Sequence, residues 1–280
     1  MPRRIRLLAV DVDGTLVNGK DQITACTTKA ICECESAGIR VVVATGRQYR
    51  RVLPISKQLG LDVPLITASG ALIKHPSEHR TLFQAEFDRN VLHGMLEVIA
   101  KCGYDAVLYT DSYTLGYDYM TPRIEGVHRE AAEFFEKVQN YVRILPNLMA
   151  APPEGVFAGF AIGTREEMLR VQTELEQSLP GQLYIHVIRS PRYSGYMCEI
   201  APRGITKWSA ITHLADDWGI SADETCAVGD DVNDIPMLRG AGLGVAVANA
   251  KPEVLAVSDR IAPSNEEDAL VTVVNWLLDT

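Results

Sequence analysis

Along the chain, short unbroken apolar runs alternate with longer stretches whose apolar residues recur every three or four positions. Residues 6–10 (Arg-Leu-Leu-Ala-Val) place four apolar side chains in succession at 7–10, and a run without polar alternation reads as a strand buried on both faces. Residues 22–37 have a helical pattern, with Gly38 where a left-handed cap residue belongs. A second buried strand follows at 39–44, then a helix at 49–59 interrupted by Pro54 and closed by Gly60, then extended pieces at 64–68 and 71–74. Strand, helix, strand, helix, strand is the alternation of a parallel α/β sheet.

The pattern changes after about residue 82. Asp88 is placed to cap a helix running to 101, with Gly103 after it, and residues 106–119 mix aromatics with Thr and Asp as a hairpin of half-exposed strands would. Helices are predicted at 129–138 and 166–179, strands at 156–162 and 183–188, a loop at 146–155 and a turn at 180–181. The sheet pattern then resumes, with strands at 196–200, 225–228, 244–247 and 259–262, a helix from Thr206 to Trp218 carrying Lys207 in its first turn, and a last helix at 266–278. The division expected is a core of residues 1–82 and 190–280, interrupted by an α+β insert at 83–189. Two linkers tie such an insert to its host, an arrangement suited to a lid.

Composition narrows the class. The 280 residues are 47% hydrophobic and 22% charged, enough to bury a real core, and the net charge of −9 argues against nucleic acid or anionic membrane as partner. No apolar run approaches the roughly 18 residues that span a bilayer, and the apolar stretch behind Met1-Pro2-Arg3-Arg4 is too short for a signal-peptide core. Six scattered cysteines without a Cys-x-x-Cys pair read as reduced thiols in a cytoplasmic protein.

The first strand runs into Asp11-Val12-Asp13-Gly14-Thr15-Leu16. Two carboxylates one residue apart repel unless a cation or strong donors stand between them, and a hard cation such as Mg²⁺ needs few protein carboxylates. In isolation the motif reads equally as a solvated acidic turn; an EF-hand is disfavoured, since glycine is fourth and position twelve is Gln22. Thr45-Gly46-Arg47 ends the second strand, Lys207 opens a helix, and Gly229-Asp230-Asp231-Val232-Asn233-Asp234 follows a later strand. Each has a dull explanation as turn, solvated helix residue or cap. Together they supply what phosphoryl transfer needs: carboxylates for a metal, a cation and donors for the phosphoryl oxygens, and a carboxylate nucleophile.

These four motifs resemble those of the haloacid dehalogenase (HAD) superfamily, and the insert between the second and third resembles the type-2 (C2B) cap of its Cof-type phosphatases. The resemblance implies a HAD-like, doubly wound parallel-sheet (Rossmann-like) core with an inserted α+β cap. It implies a Mg²⁺-dependent phosphatase of small phosphomonoesters, such as sugar phosphates, working through an aspartyl-phosphate. By resemblance Asp11 is the nucleophile and Asp13 the acid and base. Mg²⁺ is held by the Asp11 side chain, the Asp13 backbone carbonyl and Asp230, with Asp234 in support. Thr45, the Gly46 amide, Lys207 and Asn233 bind phosphoryl oxygens, and Arg47 faces substrate or cap. The chain departs from the usual Cof pattern at Ser69, where Asn is common, and at Trp208, where Gly is common.

The insert is expected to supply leaving-group contacts, with Tyr113, Tyr117, Tyr119, Arg123, His128 and Tyr193 as candidates against the blander reading of surface aromatics and solvated charges. His93 and His186 are expected to be ordinary surface or structural residues. Residues 84–190 hold nine Lys and Arg against fifteen Asp and Glu, which favours a small phosphorylated metabolite over an anionic polymer. Two other readings stay open: a phosphohexomutase-like transfer, disfavoured by few clustered arginines in the insert, and a non-catalytic ligand-binding module on the same fold. A dinucleotide site is weakest, because no Gly-x-Gly-x-x-Gly follows the first strand.

Overall fold

The structure is a computed structural model that describes residues 4–189 and 194–279. The chain forms two compact units, one running up to Phe83 and resuming at Thr206, the other spanning Gln84–Ile205.

In the first unit β1 (Leu7–Val10) is fully buried, as its unbroken apolar run demands. After it come α1 (Ala25–Ser36), β2 (Arg40–Val43), α2 (Tyr49–Leu59), β3 (Leu65–Thr67), β4 (Leu72–Lys74) and β5 (Thr81–Gln84). Helix α2 continues through Pro54 rather than breaking there, and Gly60 closes it in the left-handed conformation at φ 69°.

The second unit holds α3 (Arg89–Lys101), β6 (Val107–Thr110), β7 (Tyr119–Thr121), α4 (Arg129–Val138), β8 (Val142–Ile144), β9 (Val156–Gly163), α5 (Arg165–Ser178), β10 (Leu183–Arg189) and β11 (Tyr196–Pro202). Its six strands run in the order β10-β11-β9-β6-β7-β8. The expected return to the core at residue 190 is corrected here, because β11 pairs antiparallel with both β10 and β9 and so belongs to this sheet. An isolated apolar strand carries no label for which sheet completes it, and this one finds its partners in the insert. The 106–119 hairpin exists as β6 and β7, but those strands are mostly buried rather than half-exposed. Met95 and Ile99 of α3 and Met168 and Val171 of α5 pack with Leu108, Ala161 and Cys198 on one face of the sheet. Phe160, next to Ala161 and therefore on the other face, meets Phe134 of α4 edge-on at 5.4 Å.

The first unit resumes with α6 (Lys207–Asp217), β12 (Thr225–Gly229), α7 (Ile235–Gly240), β13 (Leu243–Val247), α8 (Pro252–Leu255), β14 (Arg260–Ala262) and α9 (Ala269–Leu278). Five strands form the sheet β14-β13-β12-β1-β2, every pair parallel. Strand β3 joins it through a parallel bridge between Ala44 and Ile66 and then turns antiparallel into β4. From β1 the chain steps one way to β2, and from β12 the other way to β13. Right-handed crossovers therefore put α1 and α7 on opposite faces, and the order reverses between β1 and β12. The last helix starts later than the pattern at 266–278 suggests, because Asp268 turns left-handed at φ 54° before α9.

Candidate functional site

Strand register brings the motifs together. Val10 stands level with Val228 on one side and Val43 on the other. The residues that follow, Asp11, Gly229-Asp230 and Ala44-Thr45, therefore lie along one carboxyl edge at the point where strand order reverses, the place where open α/β sheets bind ligands. The Asp11 amide donates to the Val228 carbonyl at 3.0 Å, and the Ala44 amide to the Val10 carbonyl at 2.9 Å.

Lys207 is carried to the same place by the start of α6. Thr206 caps that helix, accepting from the Ser209 amide at 3.0 Å while the Ser209 hydroxyl accepts from the Thr206 amide at 2.9 Å. The preceding turn holds the helix close: a Cβ on Gly70, at φ 104°, would lie 2.1 Å from the Thr206 carbonyl oxygen. Ser69 adopts φ 55° there and donates its amide to the Thr45 carbonyl. The bulk of Trp208 is accommodated by Gly240, where a Cβ would stand 2.2 Å from the indole ring.

The Lys207 ammonium is 1% exposed and donates to Asp11 Oδ1 and Asp234 Oδ1, each at 2.6 Å. Burial works to lower its pKa, but the two carboxylates outweigh it and raise it. Asp234 Oδ2 accepts the amides of Asp230 and Asp231 at 2.9 and 3.0 Å, folding the loop around its own carboxylate. Gly229 permits this, since a Cβ there would lie 2.5 Å from Asp234 Cγ. Asp230 accepts from the Thr15 hydroxyl at 3.2 Å, and Lys251 pairs with Asp231 at 2.6 Å.

Asp11, Asp230 and Asp234 each bring a carboxylate oxygen within 4.8 Å of the others. Burial pushes the Asp11 carboxyl up to about 8, with Lys207 pulling it back and Asp234 and Asp13 pushing further. Burial and the neighbouring Asp11, Asp234 and Asp231 carboxylates push Asp230 up to about 9 against the same lysine. Two buried carboxylates and a half-buried third around one ammonium leave negative charge uncompensated, and oxygen donors of this kind suit a hard divalent cation. Glycine at position 14 keeps the cradle open, because a Cβ there would fall 2.4 Å from Asp230 Oδ2. Asn249 fixes the same turn by donating to the Gly14 carbonyl at 2.8 Å.

The Asp13 side chain stands outside the three-carboxylate group. Its oxygens accept a two-pronged ion pair from Arg47, Nε to Oδ2 at 2.9 Å and Nη2 to Oδ1 at 2.7 Å. Arg47, implied by the resemblance to face substrate or cap, is instead turned onto Asp13 and Asp21, with its side chain 5% exposed. Thr45 is fully buried, and its hydroxyl oxygen accepts the Arg47 amide at 3.1 Å; Gly46 lies between them on the same loop. Asn233 is buried near the start of α7 with its side-chain oxygen lacking a hydrogen-bond partner. Sequence reasoning missed Asp21, Asn249 and Lys251, whose loops carry no motif; their contacts arise only from folding.

The specificity candidates of the second unit have structural partners. Tyr119 is buried among Tyr109, Phe134 and Phe160. Arg123 pairs with Asp105 at 2.7 Å, and His128 stacks on Tyr104 with ring centroids 4.5 Å apart. The Tyr117 hydroxyl accepts from Arg143 at 3.2 Å, and Tyr113 sits in a short 3₁₀ turn. Tyr193 lies outside the described residues. His186 is buried, donor or acceptor to Glu199 at 2.9 Å across the β10–β11 pair.

A doubly wound parallel sheet with a buried aspartate–lysine cluster at its switch point, interrupted in sequence by a second α+β unit, is an α/β architecture with a site of the kind that handles phosphoryl groups. The chain belongs to the haloacid dehalogenase-like hydrolases, whose family model matches residues 8–274. It is 27% identical to phosphatase YwpJ of Bacillus subtilis, over 98% of this chain and 100% of that protein. It is also 27% identical to the 5-amino-6-(5-phospho-D-ribitylamino)uracil phosphatase YbjI of Escherichia coli, over 98% and 96%. Among solved structures, a haloacid dehalogenase-like hydrolase from B. subtilis is 26% identical with a TM-score of 0.78, covering 97% of this chain and 99% of the other. Among the described residues no helix is long and apolar enough to cross a membrane.

Proposed function

We propose that this hydrolase is a Mg²⁺-dependent phosphatase of small phosphomonoesters, acting through an aspartyl-phosphate on Asp11. The observation that carries the reading is the Lys207 ammonium held 2.6 Å from both Asp11 and Asp234. A buried lysine at that position orients the Asp11 carboxylate and offers its charge to the oxygens of an incoming phosphoryl group. Asp11, whose strand-end position leaves its side chain beyond the sheet, attacks phosphorus. Asp13 gives a proton to the departing oxygen and later takes one from the water that cleaves the acyl phosphate. Thr45, Gly46 and Asn233 supply hydroxyl and amide donors to phosphoryl oxygens, with Arg47 steadying Asp13. Asp11, Asp230 and Asp234, with the Asp13 backbone carbonyl, would hold Mg²⁺, which when bound offsets the charge developing on the phosphoryl oxygens. The Gln84–Ile205 unit is read as the cap, and its acidic balance supports a small substrate. Relatives named as phosphatases of a phosphorylated ribitylaminouracil, and a structural neighbour titled a sugar phosphatase, point to phosphorylated metabolites of that size.

The test is phosphate release from a panel of sugar, nucleotide and polyol phosphates, with Mg²⁺ and with a chelator, beside Asp11→Asn. Release that needs the metal and vanishes in the variant is the expected result. Wild-type rates in Asp11→Asn would overturn the nucleophile, and interconversion of phosphosugars without phosphate release would favour a mutase.

A further inference from the structure

The loop after the first motif is closed on itself by Asn18. The Asn18 side-chain oxygen accepts the amides of Lys20 and Gln22 at 3.0 and 3.1 Å, its own amide donates to the Gln22 carbonyl at 3.0 Å, and its carbonyl accepts the Asp21 amide at 2.9 Å. The loop is also fastened from outside, with Glu266 Oε1 accepting the Gly19 amide at 2.5 Å. Asp21 takes φ 60°, the left-handed region that Asp and Asn tolerate better than other side chains with a Cβ. From there its Oδ1 accepts from Arg47 Nη2, the same nitrogen that donates to Asp13 Oδ1. A guanidinium is a rigid planar fork, so partners on both sides of one nitrogen set its plane. The Asp13 carboxylate, 38% exposed, would otherwise be free to exchange rotamers.

We propose that Asp21 is a positioning residue for the phosphatase reaction: through Arg47 it holds the Asp13 carboxyl in the single orientation from which it meets the leaving oxygen. The inference rests on the role given to Asp13 above. It concerns the geometry of proton delivery alone, since a displacement of about 1 Å from a productive pose costs on the order of 10²-fold.

The experiment compares kcat/KM for p-nitrophenyl phosphate, whose leaving group departs without a proton, with that for the alkyl phosphate the enzyme turns over fastest. Wild type, Asp13→Asn, Asp21→Ala and Asp21→Asn are measured with Mg²⁺, and thermal midpoints confirm that each is folded. Asp21→Ala is expected to lose about tenfold or more on the alkyl ester and under about threefold on the aryl ester. Asp21→Asn, which keeps an acceptor oxygen and tolerates the left-handed backbone, is expected to recover most of that loss. A purely structural role would lower both substrates alike, and equal loss or none in Asp21→Ala beside a discriminating Asp13→Asn overturns the inference alone. An Asp13→Asn variant that itself loses both esters alike overturns the acid role of Asp13, and this inference with it.

Discussion

The Lys207 ammonium and the Asp11 carboxylate meet at 2.6 Å although 196 residues separate them in the chain. Lys207 also meets Asp234 at 2.6 Å, so one lysine on α6 ties together the ends of β1 and of the loop after β12.

Removing that lysine leaves two buried carboxylates without a countercharge. Lys207→Met is expected to lower stability by about 3–5 kcal/mol in chelator, the scale for breaking a buried pair, and to cut turnover by roughly 10²–10³-fold. Denaturant melts and phosphate release, each with and without Mg²⁺, check both, and added metal should return part of the stability but little of the rate.

Asp11→Asn should separate stability from activity. The wild-type carboxyl is pushed up to about 8 by burial in the metal-free fold, so a neutral amide relieves a cost rather than creating one, while the nucleophile is gone. The expected outcome is a metal-free melting temperature at or above wild type with no turnover. A large loss of stability would contradict it.

The carboxylate cluster sets a pH dependence with a definite sign. Asp11 rises from 3.8 to about 8 and Asp230 from 3.8 to about 9 in the fold, so between those values the folded state holds protons that the unfolded chain has released. Metal-free stability from this cluster is therefore full near pH 4 and is lost as pH rises toward 9, by up to about 1.4 kcal/mol per pH unit for each such proton. In chelator, wild type should lose stability relative to Asp230→Asn as pH rises, and Mg²⁺ should shrink or reverse that trend.

Gly70→Ala tests how α6 is seated. A Cβ at φ 104° is strained in itself and would stand 2.1 Å from the Thr206 carbonyl oxygen, just before Lys207. Melting temperature and kcat should fall together, with about 1–3 kcal/mol lost to strain. A fall in stability with kcat intact would show that Lys207 does not depend on this seat.

The thiols should label in classes. Cys26 and Cys32 are exposed, whereas Cys34, Cys198 and Cys226 are buried, and burial, with a smaller push from Glu35, raises the Cys34 thiol to about 12. A thiol reagent at pH 8 is expected to modify Cys26 and Cys32 within the mixing phase and the buried three only on unfolding, which peptide mapping can follow.

Much of the fold was legible because its signals are local. The run at Leu7–Val10 is buried on both faces, Asp88 does cap α3, and Gly38 and Gly60 do take left-handed conformations. The boundary near 190 was not legible, because the strand Tyr196–Pro202 looks the same whichever sheet accepts it. The candidate specificity residues of the second unit could be named by type, but Tyr119 and His128 are engaged by neighbours that only packing supplies.

By itself the sequence determined the chemistry available to the site: carboxylates after the first strand and in the Gly229–Asp234 loop, a lysine at a helix start, and short-range capping and turn signals that act over a few residues. Tertiary structure alone decided which of these groups meet. Parallel register between β1, β2 and β12 sets Asp11, Thr45 and Asp230 along one edge, and the fold of the loop at Asn18 brings Asp21 to Arg47 and so to Asp13. Those pairings join residues far apart in the chain, and nothing local encodes them; they follow from burying the whole sheet at once.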